Sequence, residues 1–156
     1  MSDPCEGEFY SVPPRDHIFR YEWAAKRLEG YKGMVFDIGC GSGYGSLILQ
    51  KSGLKVVGID RSKKAIDLAD KTGVLAYCEA VLPNSNLPSP PCAFVLMEVV
   101  EHNSSGMSIL KNIIEVADIA LFSVPYMEQP GVNEYHHLSL LSEDSFSWMK
   151  PQPSFD

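Results

Sequence analysis

Basic residues are scarce: the 156-residue chain has 13 lysines and arginines against 20 acids, a formal net charge of −7. A broad electrostatic surface for nucleic acid is therefore excluded as the main feature, and long polyanions are poor partners. Cysteine is also sparse. Cys5, Cys40, Cys78 and Cys92 form no C-x-x-C pair, which excludes the common zinc and dithiol motifs and points to reduced thiols in a cytoplasmic setting. No apolar stretch reaches membrane-spanning length, and the opening "MSDPCEGEFYSVPPRD" lacks the basic and then apolar order of a secretory signal. A 45% hydrophobic content instead suits one packed domain over 1–156.

What is present is order. Residues 1–16 read as an irregular arm with three prolines, and "HIFRYEWAAKRLEGYKG" as a helix stopped near Gly30 or Gly33. "MVFDI" is a short strand running into a glycine loop, and "GSLILQKSG" a helix ending at Gly53. "LKVVGID", "VLAYCEA", "AFVLMEV" and "IALFSV" supply four further strands. "SKKAIDLADKTG", opening on Ser62 as an N-cap, and "GMSILKNIIEVAD" supply the intervening helices. Alternation of this kind predicts an α/β fold, a doubly wound, mainly parallel Rossmann-like sheet of about five strands with helices on both faces. The tail over 127–156 offers one short helix near Ser142 to Met149 and forms a substrate-side segment.

The loop "FDIGCGSGYGS" spaces glycines at every second position. Gly39, Gly41 and Gly43 let main chain approach a ligand without an intervening side chain. A dinucleotide loop needs G-x-G-x-x-G, but the third position is Tyr44 counted from Gly39 and Ser46 counted from Gly41, so that fingerprint fails. Asp60, closing the second strand, is placed to accept both hydroxyls of a ribose.

"VFDIGCGSGYGSLIL…VVGID" resembles the first two motifs of the class I S-adenosylmethionine-dependent methyltransferases. "LMEVVEHN" is similar to the fourth-strand motif of the subgroup that includes the ubiquinone-biosynthesis O-methyltransferases. "FRYEWAAKRLEG" and "LFSVPY…NEYHHLSLLSEDSF" extend the likeness over about residues 17–146. The resemblance implies the strand order 3-2-1-4-5 and S-adenosyl-L-methionine as cofactor. It implies contacts from Gly39, Cys40, Gly41 and Gly43 along the methionine part and ribose, Asp60 on the ribose hydroxyls and Arg61 beside the adenine. Glu79 or Ala80 would meet the adenine amino group, Met97 would lie near the sulfur, Asp37 would reach the amino group, and Arg20 and Tyr21 would bind the carboxylate. The two-strand hairpin that normally follows the fifth strand is missing, as is the "LKPGG"-like turn. An exposed fifth-strand edge is expected to be covered by a second copy or another partner.

Methyl transfer needs alignment and, for some acceptors, a base. His102, after the fourth strand, with Glu101 beside it, is the candidate base. Glu98, Glu101, His102 and His136 form a candidate divalent-metal set, similar to that of the small-RNA 2'-O-methyltransferases. The bland readings are a helix-capping His102, solvated histidines at 136 and 137, and Cys40 as a small loop residue. Trp23, Tyr31 and Trp148 read as core or lid, while Tyr126 and Tyr135 are candidates for an acceptor pocket. The sequence thus predicts a methyltransferase acting on oxygen or nitrogen of a small-molecule or sugar-like acceptor. The alternatives are a non-catalytic S-adenosylmethionine or S-adenosylhomocysteine binding module working through a partner, and a metal-assisted enzyme acting on RNA.

Overall fold

A computed structural model of the chain describes residues 13–78, 81, 83 and 85–149. Five strands form one parallel sheet: β1 (Met34–Ile38), β2 (Lys55–Asp60), β3 (Ala76–Cys78), β4 (Cys92–Met97) and β5 (Ile119–Ser123). Their order is β3-β2-β1-β4-β5, as the family resemblance implies, and all four pairings are parallel, as the alternating pattern predicts. Among the described residues four α-helices accompany them: α1 (Arg15–Arg27), α2 (Tyr44–Lys51), α3 (Lys63–Ala69) and α4 (Gly106–Val116).

The period of two along each strand divides the core between the two faces. Val35, Ala93, Val95 and Met97 pack with Tyr21 and Ala24 of α1, with Leu28 at its C-cap and with Leu49 of α2. Ile38, Phe94 and Leu96 pack with Ile109, Leu110 and Ile113 of α4. All six residues of β4 are buried, the mark of a strand covered on both sides.

Local signals start and stop the helices. The Pro14 carbonyl accepts the Ile18 N–H at 3.1 Å, so α1 begins at Arg15, two residues inside the segment expected to be an irregular arm. Pro14 is the N-cap, with the extended backbone that position takes, and Asp16 suits the first turn. Ser62 caps α3 as predicted, its hydroxyl accepting the Ala65 N–H at 3.4 Å. The tail helix is shorter than expected, a single 3-10 turn over Glu143–Phe146 closed by a reciprocal Ser142 and Ser145 capping box.

Strand β5 pairs only with β4, so it is a sheet edge among the described residues. After it, residues 125–149 contain no strand, but the chain folds back on itself: Met127 N–H donates to the Leu141 carbonyl and Leu140 N–H to that of Glu128, each at 2.8 Å. This return sets Glu128 to His136 beside the carboxyl ends of β4 and β5. No described helix is long and apolar enough to cross a membrane.

Candidate functional site

The carboxyl ends of β1, β2 and β4 open into a cavity of about 500 Å³, at the switch point where strand order reverses. The glycine loop forms one wall, and only part of it faces ligand space. Gly41 has φ +54, with nothing within 4 Å of where a Cβ would stand, so bare main chain borders the cavity there. Gly39 and Gly43 are also left-handed, at φ +71 and +83, and packing closes them to side chains as well: a Cβ would lie 2.6 Å from Val99 and 2.9 Å from Ala69, respectively. The fourth glycine, Gly45, gives way to an aromatic ring, since its Cβ would sit 2.1 Å from Tyr21. That absent methyl is what lets α1 lie close on α2.

Asp60 is held in place by backbone. Its Oδ2 accepts the Gly41 N–H at 2.9 Å and its Oδ1 the Ser62 N–H at 2.8 Å. Each carboxylate oxygen can accept more than one hydrogen bond, so the group is both anchored and suited to a diol. Arg61 lines the cavity beside it.

Asp37 is fully buried and does not line the cavity. Its oxygens accept the Tyr21 hydroxyl at 2.9 Å and the Ser46 hydroxyl at 2.5 Å. Burial pushes its carboxyl up to about 7, against the pull of those two hydrogen bonds and with a smaller push from Asp60. Tyr21 borders the cavity while its hydroxyl is committed to Asp37. This pair therefore docks α1 onto β1, and Arg20, which also lines the cavity, is carried to its mouth. The Arg20 guanidinium lies 2.8 Å from Asp16 and 3.6 Å from Glu98. His17 and Tyr44, neither of them singled out by sequence, line the same mouth and meet at 2.7 Å.

Of the cofactor residues the sequence proposes, Arg20, Tyr21, Gly39, Cys40, Gly41, Asp60, Arg61 and Met97 border the cavity. Asp37 and Gly43 stand behind it, and Glu79 and Ala80 lie outside the described residues. Burial raises the Cys40 thiol far above its ordinary range, and its sulfur points toward Gly58, in keeping with a packing role.

The far end of the cavity is formed by the loop after β4 and the returning tail. Glu98 has φ +55, a left-handed conformation costing a side-chain-bearing residue roughly 1–2 kcal/mol. Its Oε1 accepts the Ser123 hydroxyl at 2.7 Å. Glu101 is completely buried, with Oε1 3.9 Å from His102 Nε2. The His102 and His136 rings meet edge to face at 4.6 Å between centroids. Glu101, His102 and His136 each offer a ligand atom within 4.8 Å of the others, a mixed carboxylate and imidazole set suited to a borderline divalent ion such as zinc. Glu98, the fourth residue of the candidate set, is engaged with Ser123 and Arg20 instead.

His136 is fixed from both sides. Its Nδ1 is in close contact with Glu128, and Asn133 Nδ2 lies 3.1 Å from its Nε2. Sequence reading passed over Glu128 and Asn133 because nothing local marks them; only the tail's return brings them to the cavity. Tyr126 and Tyr135 do not line it, and Tyr126 is 72% exposed. Trp23 lies at the surface under Arg27, Tyr31 packs half-buried against the core with its hydroxyl bonded to Asp118, and Trp148 packs against the α4 face.

Comparison with known proteins agrees with this fold. The family model described as "Methyltransferase domain" matches residues 35–117. The mitochondrial ubiquinone biosynthesis O-methyltransferase of Schizosaccharomyces pombe is 32% identical over 89 residues, covering 52% of this chain and 32% of the relative. The ubiquinone biosynthesis O-methyltransferase of Proteus mirabilis is 29% identical over 115 residues, 69% of this chain and 46% of the relative. The chain thus spans less than half the length of these curated relatives. Among solved structures, the plantazolicin methyltransferase BpumL in complex with SAH superposes with a TM-score of 0.55 at 19% identity, covering 69% of this chain and 47% of that one. The bifunctional kinase-methyltransferase WbdD superposes with 0.58 at 20% identity, covering 75% and 29%. These likenesses concern the fold.

Proposed function

This chain belongs to the methyltransferase-domain family and has the class I, S-adenosylmethionine-dependent fold, and from that premise we propose that it transfers a methyl group from S-adenosyl-L-methionine to oxygen or nitrogen of a small-molecule acceptor. The observation that carries the reading is the cavity itself. It has bare Gly41 backbone and an anchored Asp60 carboxylate at one end, and Met97, Glu98 and His102 at the other. The residues present fit the cofactor, since Gly41 leaves open the space that any other residue would fill.

Asp60 would accept the ribose hydroxyls, and Arg61 would flank the adenine. Arg20 would bind the terminal carboxylate, and Met97 would border the sulfur. When bound, the cofactor supplies a methyl group already activated by its positive sulfur. The protein's own work is then to align the acceptor and hold its departing proton. His102, with the buried Glu101 carboxylate beside it, is the group we assign to that proton. Buried, unlinked thiols at Cys40 and Cys92 support a cytoplasmic setting.

A second reading adds a divalent ion at Glu101, His102 and His136, favoured by the convergence of their ligand atoms. There it would orient an acceptor hydroxyl. The net charge of −7 favours a small acceptor over RNA under either reading.

Calorimetric titration with S-adenosylmethionine and with S-adenosylhomocysteine tests the proposal. Micromolar binding, on the order of −8 kcal/mol, is expected for at least one of them. Absence of binding by the folded chain would overturn it. Chelation followed by assay separates the two readings, because only the metal-assisted one loses turnover.

A further inference from the structure

We infer that Glu128 is a positioning residue that sets the tautomer of His136, so that His136 Nε2 is the lone-pair atom offered to an O–H or N–H of the acceptor. The inference rests on the proposed reading of this end of the cavity as the acceptor side.

The argument starts from hydrogen-bond chemistry. A carboxylate can only accept, so the Glu128 contact requires the proton on His136 Nδ1. A neutral imidazole protonated at Nδ1 carries its lone pair on Nε2. Asn133 provides an independent check on that assignment. Its Oδ1 accepts the Tyr135 N–H at 2.9 Å, so the group facing His136 Nε2 at 3.1 Å is the amide nitrogen, a donor. A donor there requires a lone pair on Nε2. Both neighbours therefore dictate the same tautomer.

Position gives the tautomer its use. His136, Glu128 and Asn133 all line the cavity, and the His136 side chain is about nine-tenths buried, so its orientation is not averaged by solvent. The bond from Asn133 is the one an arriving hydroxyl or amine hydrogen would replace. Glu128 keeps the ring turned and the lone pair in place during that exchange. A carboxylate behind an imidazole is a recurrent way to orient the opposite nitrogen toward substrate or metal.

The test reads the tautomer directly, by long-range ¹H–¹⁵N correlation of the imidazoles in alkaline buffer, on the full chain. Because Asn133 supports the same tautomer, the decisive pair is N133A and the double variant E128L/N133A, where Leu is close in size and can neither accept from the ring nor donate to it. N133A is expected to retain Nδ1–H at His136, and the double variant to lose that preference and show Nε2–H signal. A loss of Nδ1–H in N133A alone, or its full retention in the double variant, overturns the inference. S-adenosylhomocysteine affinity should stay within about twofold in both variants. A parallel loss of that affinity would place Glu128 in the cofactor half and also overturn it. If the wild-type chain binds no cofactor, the methyltransferase reading fails, while the tautomer result still decides the role of Glu128.

Discussion

The Asp60 carboxylate is tied to the Gly41 backbone N–H at 2.9 Å, so the end of β2 and the glycine loop of β1 hold each other in the shape that borders the cavity. Hydrogen bonds to a charged group contribute roughly 1.5–3 kcal/mol. Asp60→Ala should therefore weaken S-adenosylhomocysteine binding by about tenfold or more, measured by calorimetry. Unchanged affinity would remove Asp60 from the ribose site.

The glycines of the loop should separate by phenotype. Gly45→Ala puts a methyl 2.1 Å from the Tyr21 ring, and overpacking of this kind costs typically 1–3 kcal/mol, read as a lower midpoint in thermal or urea unfolding. Gly41→Ala meets no atom, costs about 1 kcal/mol for its left-handed backbone, and projects into the cavity. It should lose cofactor affinity out of proportion to its stability change.

Arg20 is expected to recognise the amino-acid end of the cofactor. Arg20→Ala should weaken S-adenosylhomocysteine binding by about tenfold, with 5'-methylthioadenosine, which lacks that end, bound as before. Equal losses for both ligands would show that Arg20 acts through the docking of α1.

Stability should carry the signature of Asp37. Its carboxyl is pushed up to about 7 by burial, so the folded state holds its proton where the unfolded chain has released it. The native state therefore loses stability as pH rises from the ordinary carboxylate range to about 7, with no further loss from this group above that. The integrated effect is on the order of 4 kcal/mol. Asp37→Asn keeps an acceptor for Tyr21 and has no charge to bury, so this contribution should be absent from its pH profile across that window. An unchanged pH profile would show that Asp37 is not the source.

His102→Ala should leave S-adenosylhomocysteine affinity within about twofold and lower turnover by about 100-fold on the first acceptor found, the usual scale of general-base loss. Unchanged turnover would remove His102 from the mechanism.

Much of the molecule was legible before folding. Although the order of the strands is a long-range property that only the family resemblance supplied, apolar runs alternating with amphipathic segments determined the strands, the helices and the parallel sheet, because strand and helix periods are local properties of the chain. The spacing of Gly39, Gly41 and Gly43 and the acid at Asp60 located the cavity for the same reason, since a strand end and the loop that follows it are contiguous. The division of labour among those glycines was not local. It depends on Val99, Ala69 and Tyr21, which reach the loop only when three other segments pack there. Nor could spacing reveal that Asp37 is sealed behind Tyr21 and Ser46, or that Glu98 turns to Ser123 and Arg20 while Glu101 meets the histidines. The tail after β5 shows this most fully. Glu128, Asn133 and His136 carry no periodic signal, and they share one site only because the backbone pairing of Met127 with Leu141 and of Glu128 with Leu140 folds that segment over the strand ends. Local chemistry determined the elements and the cofactor-side loop; side-chain orientation at the acceptor end was decided by long-range packing.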